Sequence, residues 1–382
     1  MANIIDYIKW RGDISFSQMP LNEIDSLIFS ELCYAPYEEI PNEEISNDGI
    51  TISSLAEKFF KKNTKKSLGA IIPTDKILNL LKIIAKSDRF KDVVVRGYVN
   101  DIDEKIGKQF CAMCFDMCDN TTYVAFSGTD DTLVGWKESL NLSVFTPIPS
   151  QDESVKYVKN VAALPRRKLY LGGHSKGGNL AVYAALMSEE KIQNKIISVH
   201  SFDGPGFQKS FTKAFEKQEI HDKILKILPQ CAFVGAIFEP AGAVKYVKCT
   251  SKGAYQHDAF FWEVEGREFV KAAGPDKASV NFHDFLDEWF SYIDEDEHAE
   301  FIEAVFKMLS LNDSATLTDI ASDKFKFIVS ILRLDDDSKK IYVKAIKKFV
   351  KEKYFGAGKE KQTKSIAKST KTGQKNNKKG SS

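Results

Sequence analysis

Arg167-Lys-Leu-Tyr-Leu-Gly-Gly-His-Ser-Lys-Gly-Gly-Asn-Leu-Ala-Val-Tyr-Ala-Ala-Leu186 combines a short apolar run, a glycine-rich turn and a run of small and apolar residues. The first part reads as a strand over 168–173 and the last as a helix over 177–188, with Gly173-His-Ser-Lys-Gly177 between them. Gly-x-Ser-x-Gly alone is a weak pattern; the strand entering it and the helix leaving it give it meaning. In that setting Ser175 occupies a strained turn, and side chains two residues either way would collide, which Gly173 and Gly177 avoid. The helix N-terminus then directs free N–H groups and the positive end of its dipole at an oxygen that becomes negative during acyl transfer. A plainer reading of the same letters is a glycine-rich turn that packs a helix on a sheet or binds phosphate.

Beyond this unit, strands and helices alternate: helix 152–163 before it, then strand 196–202, helix 208–217 and strand 223–228. That alternation predicts a mostly parallel sheet with helices on both faces. Upstream, Val93–Tyr98, Gln109–Asp116 and Thr121–Phe126 read as successive antiparallel strands, the last two joined at Asp119-Asn120. Residues 1–90 read mainly as helix, with apolar residues three and four apart over Leu21–Tyr34 and Thr74–Lys86 and a cap at Thr74. Two more strands are expected at Val244–Cys249 and Phe260–Val264, then helix from about Phe282 to Tyr354. The expected organisation is a helical N-terminal segment (1–90) packed on an α/β core (91–275), a helical C-terminal segment (276–355) and a disordered Lys-rich tail (356–382).

With 382 residues and 43% hydrophobic content, the chain can bury a large core. Its net charge of +1 is unevenly spread: residues 358–382 hold eight Lys and one Glu, a local +7 that leaves −6 on the remainder. A mildly acidic body is not a surface for nucleic acid, while the tail suits weak contact with an anionic surface. The first residues lack the basic start and apolar run of a secretory signal, and no apolar stretch approaches the roughly 18 residues of a membrane helix. A soluble, cytoplasmic protein is expected. The cysteines at 111, 114 and 118 have a spacing that could suggest a metal. On a strand, however, Cys111 and Cys114 point to opposite faces, so no metal is expected.

Tyr123-Val-Ala-Phe-Ser-Gly-Thr129, followed by Asp130-Asp131 and Trp136, is a strand ending in a Gly-Thr turn. Here the chain resembles the lipase class 3 branch of the α/β-hydrolases. The resemblance implies an α/β-hydrolase fold in which Thr129 supplies an oxyanion donor, through its N–H or its hydroxyl, beside the N–H of Lys176. Ser127 stands where that branch usually has Arg, so any interaction of that Arg is missing. An Mbeg-like domain family of Gram-positive bacteria is similar over about residues 1–300. The similarity runs through Asp6-Tyr7, Trp10-Arg-Gly-Asp13, Gly128-Thr-Asp-Asp-Thr-Leu-Val-Gly-Trp136, Gly172-Gly-His-Ser-Lys-Gly-Gly178 and Phe202-Asp-Gly-Pro-Gly-Phe207.

In this fold the acid and the histidine follow the nucleophile. His200 lies in a strand and His221 before one, and His283 and His298 are on helices with acidic neighbours. His257, in the loop Gly253-Ala-Tyr-Gln-His-Asp-Ala259, is where a general base is expected. For the acid, the resemblance points to an Asp near Ala232, which Leu228–Gly235 lacks. Asp203, at the end of strand 196–202, is the leading candidate, with Glu239 and Asp258 as alternatives. Asp203 also fits an ordinary Asp-Gly turn.

These residues describe a serine hydrolase of lipase or esterase type acting on a carboxylic ester or related acyl substrate, small or lipid. It uses Ser175, His257 and Asp203 and needs no cofactor. Lys176 is polar where lipases are commonly apolar, and is expected to favour an acidic or polar acyl group or to point to solvent. The rival reading is a non-catalytic hydrolase fold serving as a binding or scaffold module.

Overall fold

The computed structural model describes residues 1–37, 49–62, 74–142, 145–164, 167–292, 295–310 and 340–341. Helices α1 (Ile4–Arg11) and α2 (Glu23–Leu32) each start from an asparagine, Asn3 and Asn22. The asparagine side chain takes two first-turn N–H groups, and Asp6 or Asp25 returns a bond to the cap N–H. Donors that a helix start leaves open are thereby filled. β1 (Ile50–Thr51) runs directly into α3 (Ile52–Lys61), and α4 (Thr74–Ile84) follows.

The alternating segment then gives β2 (Val94–Asp103), β3 (Lys108–Asp116), β4 (Thr121–Phe126), α5 (Leu133–Asn141) and α6 (Pro149–Ala162). It continues with β5 (Lys168–His174), α7 (Lys176–Met187), α8 (Glu190–Gln193), β6 (Ile196–Phe202), α9 (Lys209–Phe215), β7 (Ile224–Pro229) and β8 (Ala243–Val247). A hairpin of β9 (Val264–Glu265) and β10 (Glu268–Phe269) precedes α10 (Lys277–Tyr292) and α11 (Glu295–Ser310).

β1 to β8 lie in chain order in one sheet. The pairs from β1 to β4 are antiparallel, and those from β4 to β8 are parallel. Both faces are apolar, as a sheet covered on two sides requires. Cys111, Met113 and Phe115 on β3 join one core with α2, while Phe110, Ala112 and Cys114 join the other with α6 and α7. Cys111 and Cys114 accordingly lie on opposite sides of the sheet. The arrangement is an α/β-hydrolase fold, mostly parallel, with α7 rising from the carboxyl end of its central strand β5.

The N-terminal helices are fastened to this sheet by polar contacts as well as by packing. Phe29 of α2 stacks on Phe115 with ring centroids 4.5 Å apart. Ser26 and Ser30 bond the Tyr123 hydroxyl at 2.9 and 2.7 Å. Arg89 and Asp25, both fully buried, form a two-pronged pair at 2.9 and 2.6 Å. Such a fork fills the charged oxygens that burial would otherwise leave costly.

Two expectations are corrected and one helix is added. Phe260–Val264 is not a strand: Ala259–Phe261 form a 3-10 turn, and only Val264 enters the β9–β10 hairpin. The buried Trp262 donates its ring N–H to the Gln256 carbonyl at 2.8 Å, which folds the segment back on itself. α5 was unexpected; Thr132 caps it by accepting the Gly135 N–H. α10 begins at Lys277, five residues before the expected start at Phe282. The tail at 356–382 and nearly all of the helical run expected over 311–354 lie outside the described residues. Among the described residues, no helix is long and apolar enough to cross a membrane.

Candidate active site

Ser175 joins β5 to α7 at φ 57° and ψ −131°. That backbone is strained for a non-glycine residue, so surrounding packing must hold it. The glycines around it explain how. A Cβ on Gly173 would come within 2.3 Å of the Gly177 backbone, and one on Gly177 within 2.0 Å of the Phe126 carbonyl. On Gly128, at the end of β4, it would lie 3.0 Å from Ser175 Cβ. The elbow and the Gly-Thr turn are thus in direct contact, and Thr129 follows immediately. Ser127, the position lacking Arg, is buried.

The candidate acid and the candidate base meet. Asp203 lies just past β6 at φ 46°, fully buried. Its Oδ2 accepts His257 Nδ1–H at 2.6 Å, and its Oδ1 accepts the Gly235 N–H at 3.1 Å. The loop after β7, where the resemblance placed an acid, therefore supplies an N–H to Asp203 instead. The Ser175 N–H donates to the Phe202 carbonyl at 2.9 Å, which sets the serine beside Asp203 in the neighbouring strand. With Nδ1–H given to Asp203, a neutral His257 carries its lone pair on Nε2. Among the described residues the Ser175 hydroxyl makes no hydrogen bond.

His257 ends a 3-10 turn, Gly253–His257, fixed on several sides. Gln256 accepts the Cys231 N–H at 2.8 Å, and the His257 carbonyl accepts a bond from His174 Nε2 at 2.8 Å. A carbonyl only accepts, so His174 Nε2 carries the proton. Its Nδ1 is then free to accept the Tyr34 hydroxyl at 3.1 Å. Burial, then the proximity of His257, holds the His174 pKa well below the usual histidine value, which keeps the ring neutral. Glu31 Oε1 lies 3.8 Å from His174 Nδ1 and has no hydrogen-bond partner. Burial pushes its carboxyl up to about 8, with Asp258 adding to the rise and Lys76 opposing it.

The remaining candidates sit elsewhere. His200 is buried on β6 and pushed down to about 4 by burial. His221 accepts the Gly242 N–H at 2.9 Å, and His283 on α10 bonds the Ala236 carbonyl at 2.8 Å. Of the alternative acids, Asp258 pairs with Lys76 at 2.6 Å, and Glu239 bridges Phe207 through its backbone.

The expectation for Lys176 is overturned: its side chain reaches neither solvent nor an acyl group. Nζ is buried and donates to Glu138 Oε2 at 2.9 Å, Gln109 O at 2.7 Å and Gln109 Oε1 at 2.5 Å. Thr129 is held as well, its hydroxyl 2.5 Å from Ser139 Oγ. Sequence reasoning missed Tyr34, Glu31, Glu138, Ser139 and the side chain of His174. One signal was available: Glu31 interrupts the apolar face of the helix expected over 21–34.

The Mbeg1-like family model matches residues 84–307. No curated protein matches the chain. Solved structures similar to it include a fungal lipase–inhibitor complex, 14% identical over 58% of this chain and 77% of that one, with a TM-score of 0.38. Another is the Rhizomucor miehei lipase propeptide complex, 16% identical over 59% and 67%, TM-score 0.36. A third is a mutant form of MDLA from Penicillium cyclopium, 13% identical over 70% and 92%, TM-score 0.38.

Proposed function

The chain belongs to the Mbeg1-like family, and we propose that it is a serine hydrolase that cleaves carboxylic esters or related acyl groups. The observation carrying this reading is the 2.6 Å bond between His257 Nδ1 and the buried Asp203, beside Ser175 in a positive-φ elbow. In the mechanism, Ser175 Oγ attacks the acyl carbon as its proton passes to His257 Nε2. Asp203 holds the imidazole in the required tautomer and stabilises the imidazolium. His257 then returns the proton to the leaving alcohol. Water repeats the sequence in reverse roles to free the acid.

The oxyanion is assigned to the backbone N–H groups of Lys176 and Thr129. Ser139 donates its single hydroxyl proton to the Gly135 carbonyl at 2.9 Å, so Thr129 must donate its own to Ser139. That leaves the Thr129 N–H, not its hydroxyl, for the substrate oxygen. First-turn N–H groups of a helix lack intrahelical partners, which suits Lys176 for the same task.

Purified protein should hydrolyse short or medium acyl esters and be labelled at Ser175 by a fluorophosphonate. Ser175→Ala should lose about 10³-fold or more in turnover while keeping its thermal transition. Absence of both turnover and labelling in the native protein would leave a hydrolase-shaped binding module as the better reading.

A further inference from the structure

The side chains of Lys176 and Thr129, the two residues assigned to the oxyanion, are gripped by consecutive residues of one helix. Lys176 Nζ bonds Glu138 and Thr129 Oγ1 bonds Ser139, both on α5. We propose that the Glu138–Ser139 pair of α5 sets the spacing between the two oxyanion donors, making the Lys176 side chain a positioning group for the reaction. The proposal rests on the hydrolase reading of Ser175 and adds a residue-level account of how its oxyanion site is held.

Lys176 has three N–H donors, and Glu138 Oε2, Gln109 O and Gln109 Oε1 take all of them. No donor remains for a substrate. Glu138 is equally filled: Oε2 also accepts the Gln109 N–H at 3.1 Å, and Oε1 accepts the Ser150 N–H at 2.9 Å. The network therefore ties the first residue of α7 to β3, α5 and the start of α6. Gly135 lets α5 come this close, since a Cβ there would lie 2.5 Å from Asp130 Oδ1 and 3.2 Å from Gln109 Oε1.

A buried ion pair is a poor means of stabilising a fold, because apolar residues of similar volume often do as well or better. What it offers here is direction. An ammonium with three filled bonds fixes both ends of its chain, and the backbone N–H of Lys176 is at the other end. Oxyanion stabilisation depends on donors waiting in place at close range, so small displacements weaken it steeply.

The test compares native protein with Lys176→Met/Glu138→Leu, in which no buried charge is left unpaired, and with Ser139→Ala. The substrate is a p-nitrophenyl butanoate, and a trifluoromethyl ketone serves as the tetrahedral mimic once Ser175 Oγ adds to it. Both variants should stay folded and lose about 10- to 100-fold in kcat with KM nearly unchanged. Inhibition by the ketone should weaken by the same factor as kcat/KM. The pH profile of kcat/KM should not move, because His257 and Asp203 are untouched. A double variant that keeps native kcat, or whose loss comes with a shifted pH profile, overturns the proposal. Native protein that neither turns over ester nor labels at Ser175 removes the hydrolase reading itself, a separate outcome.

Discussion

His174 and Lys176 flank the same serine and are both buried, yet their polar groups end in opposite states. Lys176 pairs with Glu138 at 2.9 Å, with every donor used. His174 is neutral, and beside it Glu31 has an oxygen with no partner and a carboxyl pushed up to about 8. A buried charge survives where its bonds are complete; where one is missing, the group gives up its charge and titrates nearer neutral pH. The two sides also face different tasks. Lys176 anchors the elbow to α5, beside the Gly128-Thr129 turn, while His174 anchors the turn that carries His257.

Removing one partner of the saturated side should break this contrast most severely. Glu138→Leu leaves the Lys176 ammonium buried without its counterion, and urea unfolding should register a loss of about 3–5 kcal/mol. Replacing both partners with apolar residues should restore most of it. A loss below about 1 kcal/mol for Glu138→Leu would mean that the pair is not needed to hold Lys176 and that the two flanks are not different in kind.

His174→Ala should have an intermediate effect. It strips the His257 carbonyl of its donor, a cost of about 1–3 kcal/mol for an unsatisfied buried acceptor. It should also lower kcat by about 10-fold through a looser base. His200→Ala is the control, since His200 is comparably buried and faces Ser198 rather than His257 or Asp203 in its side-chain hydrogen bonding. Equal kcat losses in the two variants would reduce His174 to ordinary packing.

The flanks also mark where the sequence stops being informative. Strand, turn and helix around Ser175 follow from contiguous residues, and the order of groups expected in the fold is what singled out Asp203 and His257 as candidates, which the structure brings within 2.6 Å of each other. The positions beside Ser175 are the unspecified letters of Gly-x-Ser-x-Gly, and their roles depend on partners remote in the chain. Lys176 finds Glu138 and Gln109, and His174 finds Tyr34. Only tertiary packing brings these together. α5 was missed for a related reason: Leu133–Asn141 buries little more than Gly135 and Glu138, so it offers no apolar stripe to read. The false strand over 260–264 fails oppositely, because an aromatic-rich run that packs inward as a turn has the composition of a strand.

The smallest expected effect sharpens the comparison from the unsaturated side. The Glu31 carboxyl rises from 4.5 to about 8, so the folded protein holds a proton that the unfolded chain has released. Stability contributed by that proton is complete below pH 4.5 and declines as pH rises toward 8. His174 and His200 act in the other direction. Their values are depressed from 6.5, that of His200 to about 4, so their contribution is present above 6.5 and lost on acidification. Between pH 6.5 and 8 both histidines are neutral in the folded protein and go from half charged to neutral in the unfolded chain, so of these three groups Glu31 gives the larger response. The Glu31 proton should therefore account for a loss of about 2 kcal/mol across that interval, offset in part by the two histidines and by Lys226, which burial pushes down to about 8. Glu31→Gln keeps the shape of the side chain and cannot ionise, so the stability gap between it and the native protein should change by about 2 kcal/mol from pH 6.5 to 8. The same variant should leave the Lys176 side unaffected, with Glu138→Leu costing as much when combined with Glu31→Gln as it does alone. A Glu31→Gln variant that follows the native pH dependence over this range would place the titration outside Glu31 and would remove the basis for calling the His174 flank unsaturated.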